Sequence, residues 1–247
     1  GEATSGEMKL DLQVVMRQNA LTETTWKLAE NAADPISPFH VVWDTEHEIQ
    51  MGEILKLAIQ MAPIEGMTMP QALRSVLQSV TFQPDGNIQA QYKDEVTDTE
   101  WTESPKNLAM YTVDESKQQI RVFLNVSQIM AAASKANTKA GIQDVLPQLM
   151  SQLTTLLSQG IPVSYATQED GTTAFYVDTE LILPLLKMVA PLTENAELKA
   201  QLIELVKANA GAMGEFAAMF VSQILDNFTD IVDKTSKVQL GIKMVKA

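Results

Sequence analysis

Two consecutive β-hairpins, between Thr81 and Asn125, constrain the fold of this chain more strongly than any other segment. In the first hairpin, apolar side chains take every second position from Val80 to Tyr92, and Asp85-Gly86 lies where the chain must reverse. Alternation with a period of two predicts strands with one buried face, and an Asp-Gly pair is typical of a tight hairpin turn. The segment therefore predicts an antiparallel sheet that covers a core on one side.

The second hairpin repeats this design, with a turn predicted over Asp114–Lys117. The strands on either side of this turn again alternate apolar and polar side chains, so one face is expected to be buried. The residues predicted on that apolar face are Leu108, Met110, Thr112, Ile120, Val122 and Leu124.

The same alternation predicts six further strands, two of which form a third hairpin around Glu169-Asp170-Gly171. The six lie at Leu10–Met16, Thr25–Leu28, Phe39–Trp43, Val163–Tyr165, Thr173–Val177 and Val238–Met244. A terminal strand usually stays ordered by pairing inside a sheet, so the last of these is expected within the sheet.

Helical spacing of apolar residues marks three insertions, at about 50–80, 127–159 and 179–233. In the first insertion, one helix is predicted over 50–62 and a second from Met69-Pro70 as far as Val80. Because the helices come in blocks between hairpins, a parallel α/β sheet with one helix after each strand is disfavoured.

These elements together predict an α+β fold, with the whole chain, 1–247, as a single domain. About ten strands with one apolar face each would make a wide sheet with two exposed edges, and curling removes those edges. We therefore expect an antiparallel β-barrel or a strongly curved sheet, of lipocalin-like form, with inserted helical blocks.

The charge and the cysteine count restrict the possible partners. The formal net charge is −13, from 31 acidic and 18 basic side chains, and it would repel a phosphate backbone, so no nucleic-acid partner is predicted. Cysteine is absent, which excludes disulfides, thiolate metal sites and cysteine nucleophiles. No Gly-x-Ser-x-Gly motif or phosphate-binding glycine loop is present. We therefore predict no catalytic residue, no metal ligand and no cofactor.

Two groups of residues are candidate metal sites. The chain has two histidines, His40 and His47, whose spacing suits neither a helix nor a hairpin ligand pair, so a surface or hydrogen-bonded histidine is favoured. Asp94, Glu95 and the acidic residues that follow suggest a calcium loop, because hard cations prefer clustered oxygen ligands. The loop lacks the residue order and the glycine of a calcium loop, so a solvated connection is favoured.

Large side chains supply the candidate ligand-binding residues. Methionines such as Met67 and Met69 crowd the first helical insertion, where they can form an adaptable binding surface or part of the core. Tryptophans near strand ends can either line a cavity or fill it. The residues predicted to line a pocket in the sheet are Trp43, Phe82 and Tyr92.

Several of these segments resemble one group of proteins. Trp101–Val113 followed by Ile120–Asn125 resembles uncharacterised secreted lipoproteins from Bacteroidetes, and so do Gly160–Tyr165, Phe175–Val177 and Leu183–Leu186. The resemblance implies a lipocalin-like or calycin-like β-structure in the cell envelope, either anchored to the outer membrane or periplasmic. Those proteins are expected to be tethered through an N-terminal lipidated cysteine. The membrane contact is therefore expected only through an anchor removed from this sequence.

Three hypotheses for function follow. The first is a non-enzymatic envelope protein that binds a small apolar or amphipathic ligand in the mouth of the curved sheet. The second is a structural or protein-interaction module with a solid core, whose protein partner the sequence does not identify. The third is a hydrolase with dispersed carboxylates, because such acids can lie anywhere in a chain.

Overall fold

The computed structural model describes residues 21, 24–44, 51–60, 66–125, 127–128, 157–209, 218–219, 221–222, 225–226, 228–229 and 237–247. The strands in this part of the chain are β1 (Thr25–Leu28), β2 (Phe39–Asp44), β3 (Leu77–Phe82), β4 (Ile88–Tyr92), β5 (Thr102–Glu103), β6 (Ala109–Asp114), β7 (Gln119–Leu124), β8 (Ile161–Thr167), β9 (Thr173–Asp178) and β10 (Lys237–Lys246). The helices are α1 (Met51–Gln60), α2 (Met69–Val76), α3 (Thr179–Glu194) and α4 (Ala196–Asn209). The strand predicted over 10–16 lies outside the described residues, as do most of the helical insertion predicted at about 127–159 and most of the part of the third insertion after residue 210.

All of these strands belong to one sheet, and every pairing between them is antiparallel. The hydrogen-bonded order is β5-β4-β3-β1-β10-β9-β8-β7-β6, and β2 pairs with β10 beside this path. β2 pairs with the first part of β10 and β1 with the last part, so β1 and β2 follow one another along the same side of β10. The prediction that the terminal strand pairs inside the sheet is therefore confirmed.

The sheet curls into a half-barrel. Phe82 on β3 touches Tyr111 on β6, with ring centroids 5.2 Å apart, although β1, β10, β9, β8 and β7 lie between β3 and β6 in the hydrogen-bonded order. The β3–β4 turn also reaches β6. The Tyr111 N–H donates to the Gly86 carbonyl oxygen at 2.9 Å, and the Tyr111 hydroxyl donates to the Gln83 carbonyl oxygen at 2.7 Å. The predicted strongly curved antiparallel α+β sheet is thus confirmed.

Aromatic side chains from five different strands fill the concave face of the half-barrel. The rings of Trp26, Phe82, Tyr111, Tyr165 and Phe175 are all buried there. The Phe175 ring centroid lies 5.2 Å from that of Trp26, 5.8 Å from that of Phe82 and 6.3 Å from that of Tyr165. Such pairs add roughly 0.5–1.5 kcal/mol each beyond the burial of their area. The interior of the half-barrel is therefore packed with side chains around Phe175.

The buried face of β6 differs from the predicted one. Met110 is 38% exposed and Thr112 is also exposed, whereas Tyr111 is buried. Tyr111 pairs with Val122 across the β6–β7 ladder, which places both side chains on the concave face. Because a strand alternates its side chains, only one set can face the core, and the set with the aromatic ring buries more apolar area.

The helix α2 is shorter than predicted. It begins with a capping box, in which the Thr68 hydroxyl accepts from the Gln71 N–H and the Gln71 side chain accepts from the Thr68 N–H. It ends at Val76 and not at Val80, because Leu77 is already extended and pairs with Tyr92 on β4. From Leu77 onwards, pairing with β4 gives the backbone N–H and C=O groups the hydrogen-bond partners that a longer helix would otherwise supply.

Each of the three hairpin turns contains an aspartate whose carboxylate accepts a backbone N–H. Asp85 accepts from Asn87 at 2.9 Å, Asp114 from Lys117 at 3.3 Å and Asp170 from Thr172 at 3.0 Å. These are the local bonds that make aspartate common in turns. Hydrogen bonds to the charged form hold the pKa of all three carboxyl groups below the ordinary value of 3.8. The largest causes are the Asn87 N–H for Asp85, the Ser116 hydroxyl for Asp114 and the Thr172 hydroxyl for Asp170.

These lowered pKa values predict how stability depends on pH. A carboxyl group with a depressed folded-state pKa stabilises the fold above its unfolded pKa and loses that contribution as the pH falls through its folded pKa. We therefore expect the free energy of unfolding to fall between about pH 5 and pH 2, and to fall less in the double variant Asp85→Asn, Asp170→Asn. Urea unfolding at several pH values measures both slopes. Equal slopes would show that these turn carboxylates do not contribute.

Candidate functional site

An apolar cleft lies beside α2. One of its walls is a stripe on this helix formed by Met69, Ala72, Leu73 and Val76, which recur at the spacing that places side chains on one helical face. Leu73 also packs against the aromatic core, so the stripe joins the core to the cleft. Met69 is 40% exposed at the outer end of the stripe. The helix thus presents part of its apolar face to a space and not to another element.

Two contacts in the last turn of α2 fix the position of this wall. The Arg74 Nη2 donates to the Ala29 carbonyl oxygen at 3.1 Å and to the Ser37 hydroxyl at 3.3 Å, which joins the helix to the loop between β1 and β2. After the helix, the Lys93 N–H donates to the Val76 carbonyl oxygen at 2.7 Å. Because two separate segments hold the helix, the wall is formed before any ligand binds.

The opposite wall comes from two other parts of the chain. Phe39, the first residue of β2, contributes its ring, and the loop after β4 contributes the residues 94–97. The cleft has a volume of about 590 Å³. Sites for small molecules commonly enclose about 300–1,000 Å³ and are lined mainly by apolar side chains. The cleft has the size and the lining of a small-molecule site.

Carboxylates lie along the rim of this cleft. Asp94 and Glu95 line it and are both exposed, and no lysine or arginine is among the described residues that line it. The Glu95 N–H donates to the Asp98 carboxylate at 3.1 Å, and the Thr97 hydroxyl donates to the Glu95 carboxylate at 3.5 Å. The first bond orders the backbone of the loop, and the second orients the Glu95 carboxylate without neutralising it.

The neighbouring lysine does not neutralise the rim either. The Lys93 ammonium lies 4.4 Å from the centre of the Trp101 ring, a cation–π geometry. Among the described residues, neither Asp94 nor Glu95 forms an ion pair. The rim of the cleft is therefore negative.

The structure places the three predicted pocket residues apart from this cleft. Phe82 is 4% exposed and belongs to the aromatic core. Trp43 lies against α1, where a Cβ on Gly52 would come within 2.8 Å of the Trp43 Cβ. Tyr92 is partly buried and pairs with Leu77 on β3. None of the three predicted residues is among those that line the cleft.

His40 is a buried, hydrogen-bonded histidine. Its Nε2 lies 3.0 Å from the Gln239 Oε1, and its ring centroid is 5.1 Å from that of Tyr176. His47 lies outside the described residues. Within the part of the chain that the structure covers, no three side chains of His, Cys, Asp or Glu converge as a metal site would require.

Each wall of the cleft had a signal in the sequence. The methionines of the first insertion suggest a binding surface or part of the core, and the acidic loop after Tyr92 suggests a calcium loop, but the sequence presents them as separate features. Nothing in the local pattern shows that they face each other. Their meeting depends on the Lys93–Val76 bond and on the position of Phe39 in the sheet.

Among the described residues, no helix is long and apolar enough to cross a membrane. No protein-family model, curated protein or solved structure matches the chain.

Proposed function

We propose that this chain is a non-enzymatic binding protein of the cell envelope that holds a small apolar or amphipathic ligand in the cleft beside α2. The observation that carries the proposal is the preformed apolar cleft of about 590 Å³ lined by Phe39 and the α2 stripe. The envelope location and the lipocalin-like character of the half-barrel are supported by the resemblance to secreted lipoproteins. The curled antiparallel sheet is compatible with that character.

The proposed site is the cleft and not the mouth of the half-barrel. The aromatic cluster around Phe175 occupies the concave face, so a ligand there would have to displace packed rings. The cleft beside α2 needs no such displacement, since its walls already stand apart. Helix α2 supplies the apolar contact area that a ligand would cover.

A second cavity of about 610 Å³, beside the β3–β4 turn, supports a ligand less well. It is lined mostly by polar side chains that are already bonded to one another. The Gln83 side chain donates to that of Gln89 at 3.0 Å, and Gln89 donates to the Glu103 carboxylate. Groups that satisfy one another gain little from a ligand.

A hydrolytic role for the two rim carboxyl groups has weaker support. A general acid for glycoside hydrolysis is normally held in an apolar environment. Asp94 and Glu95 are both exposed, and they are neighbours in one loop and not opposed across the cleft. We therefore propose binding and not catalysis.

Filling the cleft tests this proposal. We expect the wild-type protein to bind the neutral fluorescent probe N-phenyl-1-naphthylamine at a saturable site. The variant Ala72→Phe places a ring in the cleft and should weaken binding at least about tenfold, because the apolar surface is already covered. Fluorescence titration measures the affinity, and urea unfolding shows whether the variant keeps its stability.

The control is Ala33→Phe, the same substitution at an exposed position in the loop between β1 and β2. It should bind the probe as the wild type does. If the wild type shows no saturable binding, or if Ala72→Phe is folded and binds equally well, the proposed function is wrong.

A protein-interaction module is the second candidate, and the packed aromatic interior favours it. Leu57 on α1 is 57% exposed and Met69 on α2 is 40% exposed, so apolar side chains on both helices face outwards. This function needs no cavity. It predicts that Ala72→Phe has no effect on probe binding, whereas Leu57→Lys weakens association with a protein partner.

A further inference from the structure

We propose that the ligand of the cleft is an amphipathic cation, a small molecule with an apolar body and a positively charged amine or quaternary ammonium head. This inference rests on the proposed function, because it assigns the chemistry of the same site. It is carried by the combination of an apolar wall on α2 with a negative rim at Asp94 and Glu95.

The apolar body would lie along the stripe on α2. Leu73 and Val76 line the cleft together with Phe39, and the 40% exposed Met69 lines it at the start of the helix. Methionine side chains adapt to different apolar shapes, so the outer end can accept bodies of different form. The volume of about 590 Å³ suits one small molecule and not a membrane surface.

The cationic head would lie at the loop 94–97. Both rim carboxylates are exposed and form no ion pair among the described residues, and Lys93 is directed to Trp101. The Thr97 hydroxyl and the Asp98 carboxylate orient the Glu95 segment through hydrogen bonds. A cation at the rim would gain two opposite charges without breaking an existing ion pair.

The charge of the whole chain acts in the same direction. With 31 acidic and 18 basic side chains, the protein repels anions and attracts cations at low ionic strength. An anionic amphiphile would meet carboxylates at the rim and no basic side chain among the described lining residues. The site therefore discriminates by head group, since the apolar wall accepts any matching tail.

Surfactants with one common tail and different heads test this inference. Decyltrimethylammonium, decyl maltoside and decyl sulfate, each below its micelle concentration, compete with the neutral probe for the cleft. We expect the cation to displace the probe at about a fivefold or more lower concentration than the sulfate in low salt. Added salt should reduce this preference, because exposed charges are screened.

Neutralising the rim separates the role of its carboxylates from the overall charge. In the double variant Asp94→Asn, Glu95→Gln, the preference for the cation over the sulfate should fall to about twofold or less. The matched control Glu115→Gln, Glu194→Gln removes two exposed charges that do not line the cleft, and it should keep the preference.

The outcomes distinguish the two proposals. Probe binding that is lost in Ala72→Phe, with equal displacement by all three surfactants, would overturn the cation assignment and leave the proposed function intact. A preference that falls equally in the rim variant and in the control would also overturn it, because overall charge would then explain the effect. Absence of any probe binding would reject the proposed function itself.

Discussion

The substitution Gly241→Ala is expected to destabilise the protein by at least about 3 kcal/mol. Gly241 lies in β10 between His40 on β2 and Tyr176 on β9. A Cβ at this position would lie 1.9 Å from the Phe175 carbonyl oxygen and 2.5 Å from the Tyr176 Cα. Both are backbone atoms, so relief requires β10 and β9 to separate in the middle of the sheet.

The missing side chain also allows two rings to meet across β10. The residues of a cross-strand pair share a face of the sheet, so the rings of His40 and Tyr176 can approach over the glycine, with centroids 5.1 Å apart. An alanine methyl group would enter this space as well. Thermal unfolding should show a midpoint lowered by roughly 6–12 °C.

The control for this prediction is Gly171→Ala. Gly171 has φ +85°, and a Cβ there would meet no atom within 4 Å, so only the left-handed backbone opposes the substitution. That conformation costs an alanine about 1–2 kcal/mol. If Gly241→Ala loses no more stability than Gly171→Ala, the close approach of β9 and β10 is not as described.

The substitution Phe175→Ala should cost about 3–5 kcal/mol, because it removes the central ring of the packed interior. Phe175 touches the rings of Trp26, Phe82 and Tyr165, which come from three other strands. Trp26 on β1 and Phe82 on β3 are distant from Phe175 in the chain, so the cavity left by alanine cannot close by a local adjustment. Urea unfolding measures the loss.

Two comparisons make this prediction specific. Phe175→Leu keeps most of the volume and should cost less than about 1.5 kcal/mol, and Met110→Ala, at a 38% exposed position, should stay within about 0.5 kcal/mol. Phe175→Leu should also leave binding of the neutral probe unchanged, because Phe175 does not line the cleft. A loss below about 1.5 kcal/mol for Phe175→Ala would show that the interior is not packed around this ring.

The hairpins could be predicted because their signals are local. Each joins two alternating strands with a turn that contains an aspartate, and Asp85, Asp114 and Asp170 all bond the backbone of their own turns. The helix α4 is similar, since the Asn195 side chain accepts from the Leu198 N–H at its start. Interactions within four residues of each other can be inferred without knowing the fold.

The apolar face of β6 could not be predicted by the same means. Leu108 and Met110 on one set of positions compete with Tyr111 and Val113 on the other, so the alternation favours neither set clearly. The contact between Tyr111 and Phe82 selects the second set, and it joins residues on strands that are far apart in the sheet. A contact between residues so far apart in the sheet cannot be inferred from the local pattern of apolar and polar residues.

The candidate site shows the same limit. The sequence predicts Trp43, Phe82 and Tyr92 as pocket residues, because large rings on a curved sheet suit a cavity. Their role in ligand binding stays a prediction. The cleft instead joins Phe39, the α2 stripe and the loop 94–97, three segments that lie apart in sequence. The resemblance to secreted lipoproteins likewise stays a prediction.

Local alternation, helical spacing and turn residues were sufficient to identify most of the antiparallel strands, though not the two-residue β5, and the curved α+β class of this protein. Tertiary packing alone determined that rings fill the concave face, that Gly241 must lack a side chain, and that a cleft opens beside α2. The physical reason is the distance in sequence between the residues that interact. Secondary structure follows from neighbours in the chain, whereas a cavity and a close approach depend on how distant surfaces meet.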